Sequence, residues 1–134
     1  MRKYSLSEQV RPFHYQTDGI KHSVNLRQII ALRDFADVKT GDEGGWIDDE
    51  AALSHDGECW IYDANSAVFA GGKIEGNARL TGECIISLGA IISDNVRLDS
   101  VHVSHSARIS DNVTVSHSQI RGYCHLADNA RILP

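Results

Sequence analysis

The chain has 134 residues, 42% hydrophobic and 23% charged, which suits one compact domain and is too apolar for a disordered tail. Thirteen Lys and Arg against 18 Asp and Glu give a formal charge of −5, a balance that argues against direct nucleic-acid binding as the main task. No apolar run reaches the roughly 20 residues of a bilayer span, and Met1–Gln9 lacks the apolar centre of a secretory signal, so the expected location is the cytoplasm.

Residues 1–44 read as a capping segment. Asp18-Gly19, between Phe13-His14-Tyr15 and the alternating stretch from Lys21 to Leu26, has the composition of a two-residue hairpin turn. The stretch from Leu26 to Phe35 (LRQIIALRDF) fits a strand or a short helix, and its periodicity leaves both open.

From Gly45 to Pro134 the chain repeats. An aliphatic residue returns about every six positions: Ile47, Leu53, Ile61, Val68, Ile74, Leu80, Ile86, Ile92, Leu98, Val103, Ile109, Val115, Ile120, Leu126 and Ile132. Two positions before most of them stands a smaller residue, such as Gly45, Ala51, Cys59, Ser66, Ala78, Cys84, Ala107 or Cys124. Turn formers follow at Gly76-Asn77, Asp94-Asn95, Asp111-Asn112 and Asp128-Asn129. A period of six matches neither an α-helix nor a meander of long strands. It matches a solenoid of three short strands per coil, and fifteen blocks make about five coils of an all-β, single-stranded β-helix over residues 45–134. The aliphatics point inward and the residue after each points outward. A solenoid exposes its first coil unless that coil is covered, which is the task assigned to residues 1–44. Nothing comparable follows Ile132-Leu133-Pro134, so the last coil is expected to be bare and available for a partner or an oligomer contact.

Ile30–Phe35, Asp37-Val38-Lys39, Gly41-Asp42, Gly44-Gly45-Trp46-Ile47, Glu50 and Leu53-Ser54, followed by Gly57 and Trp60-Ile61, resemble the leading segment of YdcK-like β-solenoid proteins. The resemblance implies a left-handed β-helix related in shape to the hexapeptide-repeat acyltransferases. It also implies a bacterial, phage or prophage origin, and dimers or trimers among the oligomers to expect. Five-residue blocks at 98–103 and 115–120 depart from a strict hexapeptide pattern.

Chemistry is sparse. Cys59, Cys84 and Cys124 occupy small inward positions without metal-ligand spacing, and no metal or cofactor is expected. Of the seven histidines, His102, His105, His117 and His125 are the candidates for a general base if the chain is an acyltransferase. None has an evident orienting carboxylate, and alternation along a strand argues against Ser-His pairing within Ser104-His105-Ser106.

The outward positions carry more. Three blocks per coil collect Trp46, Asp48, Ala67, Phe69, Ile85, Ser87, His102, Ser104, Gln119 and Arg121 on one wall. Its early part, with Trp46, Phe69 and Ile85, is expected to be an exposed apolar stripe suited to a protein partner. A second wall collects Trp60, Tyr62, Arg79, Thr81, Arg97, Asp99, Thr114 and Arg131, an arginine ladder beside aromatics. Asp48, Asp49 and Glu50 begin an acidic cluster at the capped end. The repeat region is net −6 and residues 1–44 are +1, so an acidic rod that mimics duplex DNA belongs among the expectations. Together these features point to a non-catalytic protein-binding solenoid. The family's phage association makes a host defence or nucleic-acid-handling complex, such as a CRISPR effector in the host cytoplasm, the expected target. The alternative is a trimeric acyltransferase with a histidine base.

Overall fold

The computed structural model describes residues 2–122, 124–128 and 130–132. The turn position Asn129 and the close of the chain at Leu133 and Pro134 lie outside them. Apart from one turn of 3-10 helix at Glu50–Ala52, the regular elements among the described residues are strands. They are β1 (Tyr4–Thr17), β2 (Ile20–Ala31), β3 (Glu43–Ile47), β4 (Trp60–Ile61), β5 (Ala67–Val68), β6 (Lys73–Ile74), β7 (Arg79–Thr81) and β8 (Ile85–Ile86). The series continues with β9 (Ile91–Ile92), β10 (Arg97–Asp99), β11 (His102–Ser104), β12 (Arg108–Ile109), β13 (Thr114–Ser116), β14 (Gln119–Arg121), β15 (His125–Leu126) and β16 (Arg131–Ile132).

Three sheets run along the molecule, in the orders β1-β2-β3-β5-β8-β11-β14, β4-β7-β10-β13-β16 and β6-β9-β12-β15. All pairings within the coils are parallel, and after longer first steps such as Trp46 to Ala67, residues in register stand 18 and then 17 apart, as in Arg79, Arg97 and Thr114. This is an all-β solenoid of about five turns. The two walls read from the sequence are found in register: Trp46, Ala67, Ile85, His102 and Gln119 on one, Trp60, Arg79, Arg97, Thr114 and Arg131 on the other.

The inward aliphatics from Ile47 to Val115 are fully buried and stack into one core, with Cys59, Ala78, Cys84, Ala90 and Ala107 filling the narrow places beside the corners. One small position differs from expectation: Ala51 is exposed and Ala52 is buried, because the 3-10 turn shifts the inward direction by one residue. Corners are turned by residues in the left-handed region. One column runs through Gly57, Gly76, Asp94, Asp111 and Asp128, and Asp is among the few side chains that tolerate that conformation. Beside it, the Asn77 amide donates to Asn95 Oδ1 at 3.4 Å and the Asn95 amide to Asn112 Oδ1 at 3.2 Å.

β1 and β2 form an antiparallel hairpin around Asp18 and Gly19, both with positive φ. The open choice at Leu26–Phe35 resolves as strand through Ala31, since β2 pairs with β3 and extends the first wall. The register shift between Leu6 and Val10 is a bulge that bends the hairpin, and its distal half lies over that wall. There Phe13 and Tyr15 pack on Phe69 with ring centroids 4.9 and 5.0 Å apart, while Arg11 covers Trp46.

At its root the N-terminal segment is held by Tyr4, whose hydroxyl donates to Leu53 O at 2.6 Å. Lys3 is fully buried beside it, and its Nζ donates to Cys59 O at 2.7 Å.

Candidate functional site

The stripe expected to be exposed is covered. Trp46 is 8% and Phe69 2% accessible, Ala67 is buried, and Ile85 is half-buried, because Phe13, Tyr15, Val24 and Leu26 of the hairpin supply the apolar surface that pairs with it. Alternation placed these residues on the outer wall; it carried no information about a second layer. Trp60 is a further correction, being 1% accessible between Tyr4 and Phe35, which meet it edge-on at 6.4 and 5.3 Å.

Beyond Phe69 the hairpin and the wall diverge and leave a groove of about 450 Å³. Phe13, Tyr15 and Thr17 form its roof, and Ile85, His102, Ser104, Gln119 and Arg121 its floor. His102 stands in register between Ile85 and Gln119, and Ser104 lies beside Arg121 on the next coil. Glu83 and Arg121 put opposite charges at the rim.

Inside the groove Ser104 Oγ and His105 Nδ1 are 2.8 Å apart, which overturns the expectation that neighbouring residues cannot pair here. The alternation rule fails because His105 is not in the strand: its φ of 59° belongs to the corner, and the turn swings the imidazole back toward the Ser104 side. In the tautomer in which the hydroxyl donates, Nδ1 accepts and Nε2 carries the ring hydrogen.

The other histidines separate. His117 lies at the corner that leads into β14, in a left-handed conformation, and its N–H donates to Asp99 O. His125 is on the third sheet, with Nε2 3.0 Å from Ser110 Oγ. The expectation that no histidine has an orienting carboxylate is corrected at His55, whose Nε2 is 3.1 Å from Glu50 Oε1. Its Nδ1 accepts the Lys3 N–H and its ring stacks on Tyr4, so the ring, oriented by Glu50 at Nε2, holds the N-terminal segment in place.

The acidic cluster also has structural partners. Asp48 accepts from Ala70 N–H, Asp49 caps the 3-10 turn through Ala51 N–H, and Glu50 pairs with Arg2. On the second wall Tyr62 is half-buried and donates to Asp37 Oδ1 at 2.6 Å. Burial, reinforced by that carboxylate, pushes the Tyr62 phenol up to about 12, and the same hydrogen bond holds Asp37 below the ordinary carboxylate range. Arg79 and Arg97 sit directly opposite each other in register, and neither forms an ion pair within 4.0 Å among the described residues. Among those residues no three His, Cys, Asp or Glu side chains converge as a metal site. No helix there is long and apolar enough to cross a membrane.

The groove's roof was missed in the sequence. Phe13 and Tyr15, two apart on one strand, share a face, and that spacing was the available sign that the hairpin had an apolar side to bury.

Comparison with known proteins bears on the fold. Residues 107–123, which include β12, β13 and β14, match the family model described as the YdcK β-solenoid repeat. Over 104 residues the chain is 51% identical to the "Uncharacterized acetyltransferase YdcK" of Escherichia coli (strain K12), a match covering 78% of this chain and 32% of that protein. The chain thus spans about a third of the curated relative it matches. It carries the YdcK β-solenoid repeat and is homologous to YdcK.

Proposed function

We propose that the groove is the acceptor side of an acyl-transfer site, with Ser104 and His105 as its proton relay. The 2.8 Å contact between Ser104 Oγ and His105 Nδ1, placed under an aromatic roof, carries this reading. The name of the YdcK relative favours it. An acceptor hydroxyl or amine lying on Ser104 passes its proton to Oγ as the serine proton moves to Nδ1. The freed electron pair attacks the carbonyl of a thioester donor, and the imidazolium returns the proton to the departing thiolate. Phe13 and Tyr15 exclude water and offer a flat surface for an apolar part of the acceptor, while Arg121 suits an acidic group on it.

The test is thiol release from acetyl-CoA in the presence of a panel of amines and alcohols. His105→Gln is expected to lower the rate by roughly 10²-fold or more, as for loss of a general base, and Ser104→Ala by a smaller factor. Equal rates in wild type and His105→Gln would remove the reading.

The second wall favours the protein-binding reading. Arg79 and Arg97 face each other in register with no ion pair within 4.0 Å among the described residues, Asp37 acting on Arg79 only at longer range, and such a wall suits an acidic partner surface. A non-catalytic solenoid acting on a host nucleic-acid-handling or defence complex would use this wall. Its mark is a stoichiometric partner captured by wild type and lost with Arg79→Glu, together with absent thioester turnover.

A further inference from the structure

Lys3 and Cys59 form an unusual pair. The lysine side chain is completely enclosed, lies over the Phe35 ring at 5.3 Å, and directs Nζ at Cys59 O and, at 3.2 Å, at Cys59 Sγ. Burial lowers the amine's pKa from its ordinary value and raises that of the thiol, so both groups are driven toward their neutral forms. An uncharged amine is a nucleophile, and 3.2 Å to sulfur is a near-attack distance.

We propose that Lys3 and Cys59 are a peroxide-driven cross-linking site that closes as a reversible sulfur–nitrogen bond. A peroxide is the oxidant. The Lys3 amine takes the thiol proton as Sγ attacks one peroxide oxygen, and the O–O bond breaks. The departing hydroxide takes that proton and leaves as water. Sulfur has given up two electrons and stands as a sulfenic acid. The Nζ lone pair then attacks Sγ, the S–OH bond breaks, and hydroxide leaves with an amine proton as a second water. Nitrogen keeps its oxidation level, and the product is a sulfenamide. A reducing thiol attacks its sulfur and restores lysine and cysteine. Peroxide is small, and transient opening of the residues that lead into β1 gives it a path. The closed pocket then keeps water and further oxidant from the sulfenic acid, which favours the amine. The bond ties residues 56 positions apart, fastening the N-terminal segment to the first coil.

The experiment treats the folded chain with hydrogen peroxide and reads intact mass and proteolytic peptides. The expected product is lighter by about 2 Da, joins the Lys3 and Cys59 peptides, unfolds at a higher temperature and reverts with a thiol reductant. Cys84 is an internal control, buried as deeply but facing the Thr81 carbonyl at 3.2 Å. Lys3→Met is expected to divert Cys59 to oxygen adducts without a cross-link. In wild type, either an unmodified Cys59 or a sulfinic acid at Cys59 without a joined peptide overturns the proposal. This readout does not depend on any variant folding.

Discussion

A Cβ placed on Gly57 would overlap the Gly76 carbonyl oxygen of the next coil, at a φ of +70° that side chains rarely adopt. At Gly19 the φ of +78° makes the same conformational demand, but nothing lies within 4 Å. The two glycines therefore separate backbone strain from crowding. Gly19→Ala is expected to cost about 1 kcal/mol, the strain alone. Gly57→Ala adds overlap with backbone that cannot swing aside and is expected to cost roughly 2–4 kcal/mol in denaturant unfolding. Equal losses would mean that the coils yield at this corner. At this scale the sequence was most and least informative. The inward character of Ile61, Leu80, Ile92 and Val115 follows from spacing alone. The pairing of Ser104 with His105 does not, because it depends on a positive φ that is common for Gly, uncommon for His, and absent from any strand pattern.

Among elements, the hairpin is the one whose position required the structure. Its turn was legible at Asp18-Gly19, yet its resting place depends on Phe13 and Tyr15 meeting Phe69, more than fifty residues on, and alternation describes one strand at a time. Phe69 fastens this layer. Phe69→Ala is expected to cost about 3–5 kcal/mol and to loosen the distal hairpin while the solenoid stays folded. Trp46, now under Arg11 and beside the same cluster, would become wetter and Trp60 would not. Comparing emission of the Phe69→Ala chain with and without Trp46→Phe isolates that red shift. Its absence would show that the hairpin is held by its pairing to β3 alone.

The whole molecule is a stack in which each coil gives its backbone hydrogen bonds to the coils directly above and below. Register along both walls was legible because a fixed period repeats the same inference many times, and each repetition corrects the last. Handedness was not, since either hand buries the same residues. In such a stack, stability is close to a sum of nearest-neighbour terms. Inward aliphatics are sealed through Val115, whereas Leu126 and Ile132 are only half-buried. Amide exchange is therefore expected to be slowest at Leu80 and Ile92 and to quicken toward Leu126, with intermediate rates at Ile120. Uniform protection from Leu80 to Leu126 would mean one cooperative unit.

The ladders of backbone bonds all point along the stack, and this gives the molecule a mechanical grain. Tension applied lengthwise loads one inter-coil step at a time, and each step that gives way pays out a single coil of 17 or 18 residues, about 60 Å of chain. Load applied across the stack instead meets covalent backbone running round every coil. The protein is thus soft as a spring in one direction and stiff as a hoop in the other.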